Sequence, residues 1–529
     1  MRATNPLLPG CYPDPSICRA GDWYYLVTST FEMWPGLPIF RSRDLVRWEQ
    51  IGHVIDRPDQ MTFAGVQSSH GLFAPTIRHH NGIFYVVCTR VGQPDAPQHG
   101  NFLVTAEDPA ADWSEPVWLA DEAGTPVDGI DPSIFFDSEG RVWLHGTRPA
   151  RSPEWDSQTE VWLREYDSSR GVVVGEEHII WTGAVRGAVW AEGPHLFEHE
   201  GRFYLLAAEG GTEIHHAVCI ARSSSVTGPY QGNRANPVLT HRHLGHPGHG
   251  AGPEVVGVGH ADLVQGPEGS WWAVLLGMRP YGGYHYNLGR ETFLVPVHWQ
   301  DGWPVFATGE GQVPAEVDIP FANDDAAPLT SPQHITAGPV LAGDMRWNSL
   351  RGPWEEFAEP QGAGWRLRVQ PATLAERTTP SFLGVRQQHK SLDQVAELDL
   401  SELAPGEEAG VVVRQSEEHH AYLSLERTTD GWLTRTVLHQ PEGDTVLSDR
   451  SLPAAALDPS AAGLGLHIRE QEYTFTLDDE LCAVVDGRQL DTVTTGGFLG
   501  LWLGVFATSH GRHTSSSLSL RRFDYAPLT

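Results

Sequence analysis

The chain of 529 residues is short of positive charge, cysteine, long apolar runs and helical periodicity. Lys and Arg number 36 against 67 Asp and Glu, a formal net charge of −31 at pH 7. So acidic a surface repels phosphate backbones and anionic lipid, which argues against nucleic acid or membrane as partner and leaves a neutral ligand indifferent. Lysine is nearly missing: Lys390 stands alone, and the other fixed cations are arginines. The 5 cysteines, Cys11, Cys18, Cys88, Cys219 and Cys482, are odd in number and lack metal-ligand spacing, so they read as reduced thiols. No apolar run could span a bilayer, and the opening Met1-Arg2-Ala3-Thr4-Asn5-Pro6 lacks the apolar core of a secretory signal. A cytoplasmic protein is the simplest reading, and its substrates must then be small enough to be imported. The oligomeric state is left open, a homo-oligomer included.

What the chain does have is Trp (19), Gly (56) and Pro (39), the composition of a turn-rich all-β protein. Sugar rings pack their C–H faces on aromatic planes, so this composition favours a carbohydrate ligand. The length calls for at least two domains. Over the first two thirds one motif recurs five times, as a polar step, an aliphatic residue, a gap, then Gly and an aromatic-aliphatic run. Its copies begin at Asp14-Pro15-Ser16-Ile17, Ala74-Pro75-Thr76-Ile77, Asp131-Pro132-Ser133-Ile134, Gly193-Pro194-His195-Leu196 and His260-Ala261-Asp262-Leu263. A period of roughly 60 residues holds four short strands, which is one propeller blade.

Blades are arranged radially, so matching positions on their innermost strands face one axis. The leading column holds Asp14, Ala74, Asp131, Gly193 with Glu192 beside it, and His260. Any one Asp-Pro step is an ordinary turn signal, as at Asp108-Pro109 and Asp458-Pro459. Three carboxylates and an imidazole in matched register are different, because converging acids repel and desolvate one another unless chemistry needs them.

The repeat ends near Phe306, giving a five-bladed propeller over residues 1–311. Residues 312–343 are rich in Pro, Ala and Asp without periodicity and read as linker and interface. In residues 344–529 alternation returns, as in Leu464, Leu466, Ile468 and in Tyr473, Phe475, Leu477, while Asp430-Gly431 marks a hairpin. These patterns predict a β-sandwich as second domain.

At these motifs the chain resembles glycoside hydrolase family 43, in its β-xylosidase-like members with a C-terminal concanavalin A-like sandwich. The resemblance rests on an ordered set: Tyr12-Pro13-Asp14-Pro15-Ser16, Gly129-Ile130-Asp131-Pro132-Ser133, Ala191-Glu192-Gly193-Pro194-His195, Leu288-Gly289-Arg290-Glu291-Thr292 and Arg386-Gln387-Gln388-His389. It implies Asp14 as general base, Glu192 as general acid, Asp131 as the group that raises the acid's pKa and positions it, and inversion at the anomeric carbon. It also implies release of xylose from the ends of β-1,4-xylooligosaccharides, with α-L-arabinofuranosidase activity on arabinose-containing oligosaccharides as close rival. A noncatalytic sugar-binding propeller would need no matched acid and base.

The residue types suit that chemistry. Glycoside cleavage needs a proton for the departing oxygen and a water activated at the anomeric carbon, and inverting enzymes set the two carboxyls roughly 6.5–9.5 Å apart. The charges of Asp131 and Asp14 would keep Glu192 protonated. Phe31 and Trp34, on the first loop, are expected to stack on sugar, and Phe73 stands where relatives carry Trp, changing the glycone subsite. Arg290 either hydrogen-bonds sugar or a carboxyl, or pairs with Glu291 at the surface. Glu209 and His216 line the cavity or serve the core. His260 is satisfied by water or touches a structural Ca²⁺, which family members hold there; no cofactor is required for the chemistry. The run from His241 to His249 reads as a loop beside the pocket.

Overall fold

Each repeat copy folds into an antiparallel sheet, four-stranded in four copies and five-stranded in the fourth, and the five sheets form a propeller. The computed structural model describes residues 1–92, 98–245, 254–308, 310–322 and 334–528. The innermost strands are Ser16–Ala20, Gly71–His80, Ile130–Phe136, Glu192–His199 and Val256–Gln265, each packing on the next and the fifth returning to the first. The repeated glycine is explained by the turn that follows them. Asn81 and Gly82 (φ 50° and 82°), and Glu200 and Gly201 (49° and 71°), are consecutive left-handed residues, the requirement of a type I′ hairpin.

The propeller has no single core. Apolar side chains fill five separate wedges between neighbouring blades, and strand alternation distributes them. Val86 faces the first blade while Val87 faces the third; Leu205 and Leu206 divide in the same way between the third and fifth. The N-terminal segment ties the ring: Arg2–Thr4 pairs with Glu316–Asp318, and the Asn5 side chain donates to the carbonyls of Leu294 and Pro314.

Beyond the propeller, a six-stranded and an eight-stranded sheet pack as a sandwich around one continuous core. Leu464, Leu466, Ile468, Tyr473, Phe475 and Leu477 all point into it, as their alternation predicts. His420–Arg427 and Gly431–Gln440 form the expected hairpin. The stretch 312–343 is pinned at both ends, by Glu316–Asp318 and by Gly338–Pro339, which pairs with the last strand, Ser517–Pro527.

The two domains are joined through backbone and buried charge. Met33–Trp34 pairs with Ser349–Leu350. Beneath that contact Glu417 takes ion pairs from Arg351 (2.8 Å), Arg377 (2.9 Å) and Arg414 (3.5 Å), while Glu32 lies 3.6 Å from Arg414.

Candidate active site

Four innermost strands carry a bulge at the same point of the repeat. Pairing slips between Phe73 and Thr76, Ile130 and Ser133, Glu192 and His195, and Gly259 and Asp262. Proline fits three of these bulges because the unpaired position needs no N–H. Asp131, Gly193 and His260 in the bulges, and Asp14 just before the first innermost strand, all have left-handed backbones (φ 52°, 55°, 48° and 54°). Left-handed conformation costs an ordinary residue about 1–2 kcal/mol, and Asp and His enter it more readily than most. In return the bulge turns the side chain out of the sheet and toward the axis. In the fourth blade glycine takes the left-handed place and Glu192, one residue earlier, supplies the carboxyl. A Cβ on Gly193 would stand 2.9 Å from His260 Cε1, so this glycine also makes room for the imidazole.

The result is one cavity of about 460 Å³ whose lining includes Asp14, Asp131, Glu192, His260, Arg290 and Phe498. Asp14 is the best-tied acid. Ser29 Oγ donates to its Oδ2 (2.6 Å), Arg290 Nη1 donates to its Oδ1 (3.0 Å), and His260 Nδ1 lies 3.7 Å away. Burial alone would push its pKa up, but Arg290 first, then His260 and Ser29, outweigh burial and hold the carboxyl below its ordinary value. Glu192 lies at the other extreme: burial, then the charges of Asp131 and Asp14, push it well above the usual carboxyl range against the weaker pull of Arg290. Asp131 is raised by burial and Asp14, but His260, the N–H of Gly193 (3.0 Å) and Arg290 oppose the rise. The proton shared by these neighbours therefore rests on Glu192. One cavity thus holds an ionised carboxylate and a neutral carboxylic acid, the two states that acid–base cleavage requires.

Arg290 is no surface ion pair. Its guanidinium donates to Asp14 and Thr212 (3.0 Å each) and lies over the rings of Phe31 and Phe498, while Glu291 is taken by Arg279 at 2.6 Å. Phe31 and Phe73 line the cavity as expected, with ring centroids 5.5 Å apart. Trp34 does not: it is 1% exposed, packed edge-on against Phe63, because its backbone is consumed by the strand pairing with the sandwich. Glu209 is likewise outside the lining. Its carboxylate turns away to accept from Trp181 Nε1 (3.1 Å) and the Ala184 N–H (2.8 Å), a structural role. His216 is in the wall, its pKa lowered to about 3 by burial and by the neighbouring His260, so it is neutral.

In the His-rich run, His241 bridges Val255 O (2.7 Å) and the Val313 N–H (3.0 Å), while His246 and His249 lie outside the described residues. Calcium takes six to eight oxygen ligands. Among the described residues no three His, Cys, Asp or Glu side chains converge as a metal cluster. His260 meets Asp14 and the edge of the His195 ring, 6.4 Å between centroids.

Several lining residues were not singled out from the sequence, among them Thr212, Trp190 and Phe498. Phe498 comes from the sandwich and stacks on Phe31 (5.9 Å, 20°) and edge-on against Phe73 (5.8 Å, 84°). Its N–H donates to Ser69 Oγ (2.8 Å), whose own N–H donates to Glu32 (3.1 Å), so the buried charges between the domains hold this wall. Gly496-Gly497-Phe498, an aromatic after two glycines, is the only local hint of a loop tip.

Comparison with known proteins agrees with this two-domain fold. Residues 3–304 match the model for glycosyl hydrolases family 43, and residues 342–526 match that for a beta xylosidase C-terminal concanavalin A-like domain. A xylosidase/arabinosidase of Butyrivibrio fibrisolvens is 37% identical, covering 96% of each chain. A non-reducing end alpha-L-arabinofuranosidase of Bacteroides ovatus is 35% identical, over 98% of this chain and 94% of that one. The crystal structure of a xylan beta-1,4-xylosidase from Bacillus halodurans superposes with a TM-score of 0.86 at 28% identity, over 99% and 100% of the two chains. The radial acids, the bulges that aim them and the sandwich wall are thus features of a chain that belongs to glycosyl hydrolases family 43.

Proposed function

We propose that this chain is an exo-acting, inverting glycosidase that releases xylose from the non-reducing ends of β-1,4-xylooligosaccharides. The observation that carries the reading is the opposed protonation of Asp14 and Glu192 in one cavity. Glu192 gives its proton to the glycosidic oxygen as the bond from that oxygen to the anomeric carbon breaks. Asp14 takes a proton from the water whose oxygen bonds to the anomeric carbon from the opposite face, and the released sugar has inverted configuration. Asp131 keeps Glu192 protonated by its charge, and Arg290 keeps Asp14 ionised. Phe498 closes the cavity from the sandwich side, which favours a chain end over the middle of a polymer.

Proton NMR of xylobiose hydrolysis tests this: α-xylose appears first and equilibrates later. β-Xylose as first product would contradict inversion, and intact xylobiose would contradict the substrate. The second reading, an α-L-arabinofuranosidase, is favoured by the names of the relatives from Butyrivibrio and Bacteroides. Rates on aryl β-xyloside and aryl α-L-arabinofuranoside decide between them.

A further inference from the structure

Of the 19 tryptophans in this chain, Trp190 alone is exposed, at 43%, and it stands in the lining of the catalytic cavity. Its backbone is left-handed (φ 52°), a conformation that a bulky side chain adopts only where the surroundings enforce it. Here they do. The Trp190 N–H donates to the carbonyl of Ser157 (3.2 Å), itself left-handed (φ 59°). The neighbouring Val189 carbonyl accepts from the Gly210 N–H (2.9 Å), and a Cβ added to Gly211 would come within 3.5 Å of the indole Cδ1. The strained loop thus rests a large aromatic against a glycine turn and leaves it partly open to solvent, a use of tryptophan that core packing does not explain.

Its position says what it faces. Trp190 is two residues before Glu192, whereas the ring cluster of Phe31, Phe73 and Phe498 gathers around Arg290, which holds Asp14. The cavity therefore has two unlike aromatic walls, a cluster of rings around the guanidinium that holds the water-activating carboxylate and a single indole on the segment that leads into the acid. We infer that Trp190 is the platform of the leaving-group subsite: its indole stacks on the C–H face of the sugar ring that Glu192 protonates and releases. This rests on the acid and base assignment above and adds a specificity determinant, since a leaving group without a ring would gain nothing from the platform.

The test holds the glycone constant and changes only what departs. Wild type, Trp190→Ala and Trp190→Phe are compared on xylobiose and on β-xylosyl fluoride, whose leaving group has no ring; if the wild type turns over only arabinofuranosides, the corresponding arabinofuranosyl pair is used. Trp190→Ala should lower kcat/KM on the disaccharide about tenfold, should leave the fluoride within about twofold, and should be partly rescued by Phe. The alkaline limb of the disaccharide pH profile should stay where it is. Equal losses on both donors, no loss on either, or a shifted alkaline limb would overturn the inference, the last by making Trp190 a prop for Glu192. Wild-type inactivity on both pentoside types would instead overturn the proposed function.

Discussion

Two clusters of buried charge lie close together in this molecule, and they are built in opposite ways. Around the propeller axis three coupled carboxyls, Asp14, Asp131 and Glu192, share one guanidinium, that of Arg290. Between the domains two carboxylates, Glu32 and Glu417, share three guanidinia, those of Arg351, Arg377 and Arg414. In the second cluster burial would raise Glu417, yet Arg351, Ser68 and Arg414 bring it down to about 2, so it is ionised at any working pH. In the first, charge is in deficit and one acid is forced to stay neutral. Buried charge that finds its partner fixes geometry, whereas buried charge denied one is poised to move a proton.

Four changes break or sharpen that contrast. The largest effect belongs to the poised cluster: Glu192→Gln should cut xylobiose turnover about 10³-fold, within the range of acid catalysis, while an aryl xyloside with a good leaving group falls far less. Equal losses on both donors would remove Glu192 from the acid role. Next comes the paired cluster. Glu417→Ala leaves Arg351 buried without its partner and Arg414 with Glu32 alone, and should cost about 3–5 kcal/mol in urea unfolding. A cost under about 1 kcal/mol would mean that the cluster does not hold the domains. Between the two lies Phe498→Ala, which removes the wall that the paired cluster supports; kcat/KM on xylobiose should fall about tenfold with little change in stability. The smallest effect has an unusual sign. Glu192 has a raised pKa when folded, so its ionisation opposes folding as pH climbs from the unfolded carboxyl value through the folded one. Glu192→Gln should therefore match wild type near pH 4 and be the more stable of the two near pH 8 in urea unfolding. Asp14→Asn should go the other way, losing at neutral pH the stability that a depressed carboxyl contributes.

The parts of the site that repeat were legible before the fold was. Asp14, Asp131 and His260 sit at one phase of a five-fold pattern, with Glu192 one step away, and radial symmetry alone brings that phase to one axis. Arg290 was legible through its ordered motif. What escaped was set by contacts between the domains, which no local period encodes. Trp34 looks like a loop aromatic free to stack on sugar, but Ser349–Leu350, far along the chain, pairs with its strand and buries it. Phe498 reaches the sugar cavity from the sandwich through a hydrogen bond to Ser69. Glu209 shows the complementary error: an acid at the end of the right blade, whose strand phase points it at Trp181 and away from the axis. Trp190 had only its closeness to Glu192 as a signal.

The most direct test is the pH dependence of kcat/KM on an activated aryl glycoside, for wild type and Glu192→Gln. Wild type should give a bell, falling at low pH as Asp14 is protonated below the ordinary aspartate value and at high pH as Glu192 ionises well above the ordinary glutamate value. The variant should keep the acid limb and lose the alkaline one. An alkaline limb that survives in Glu192→Gln would contradict the account, because the neutral acid of this cavity would then be some other group.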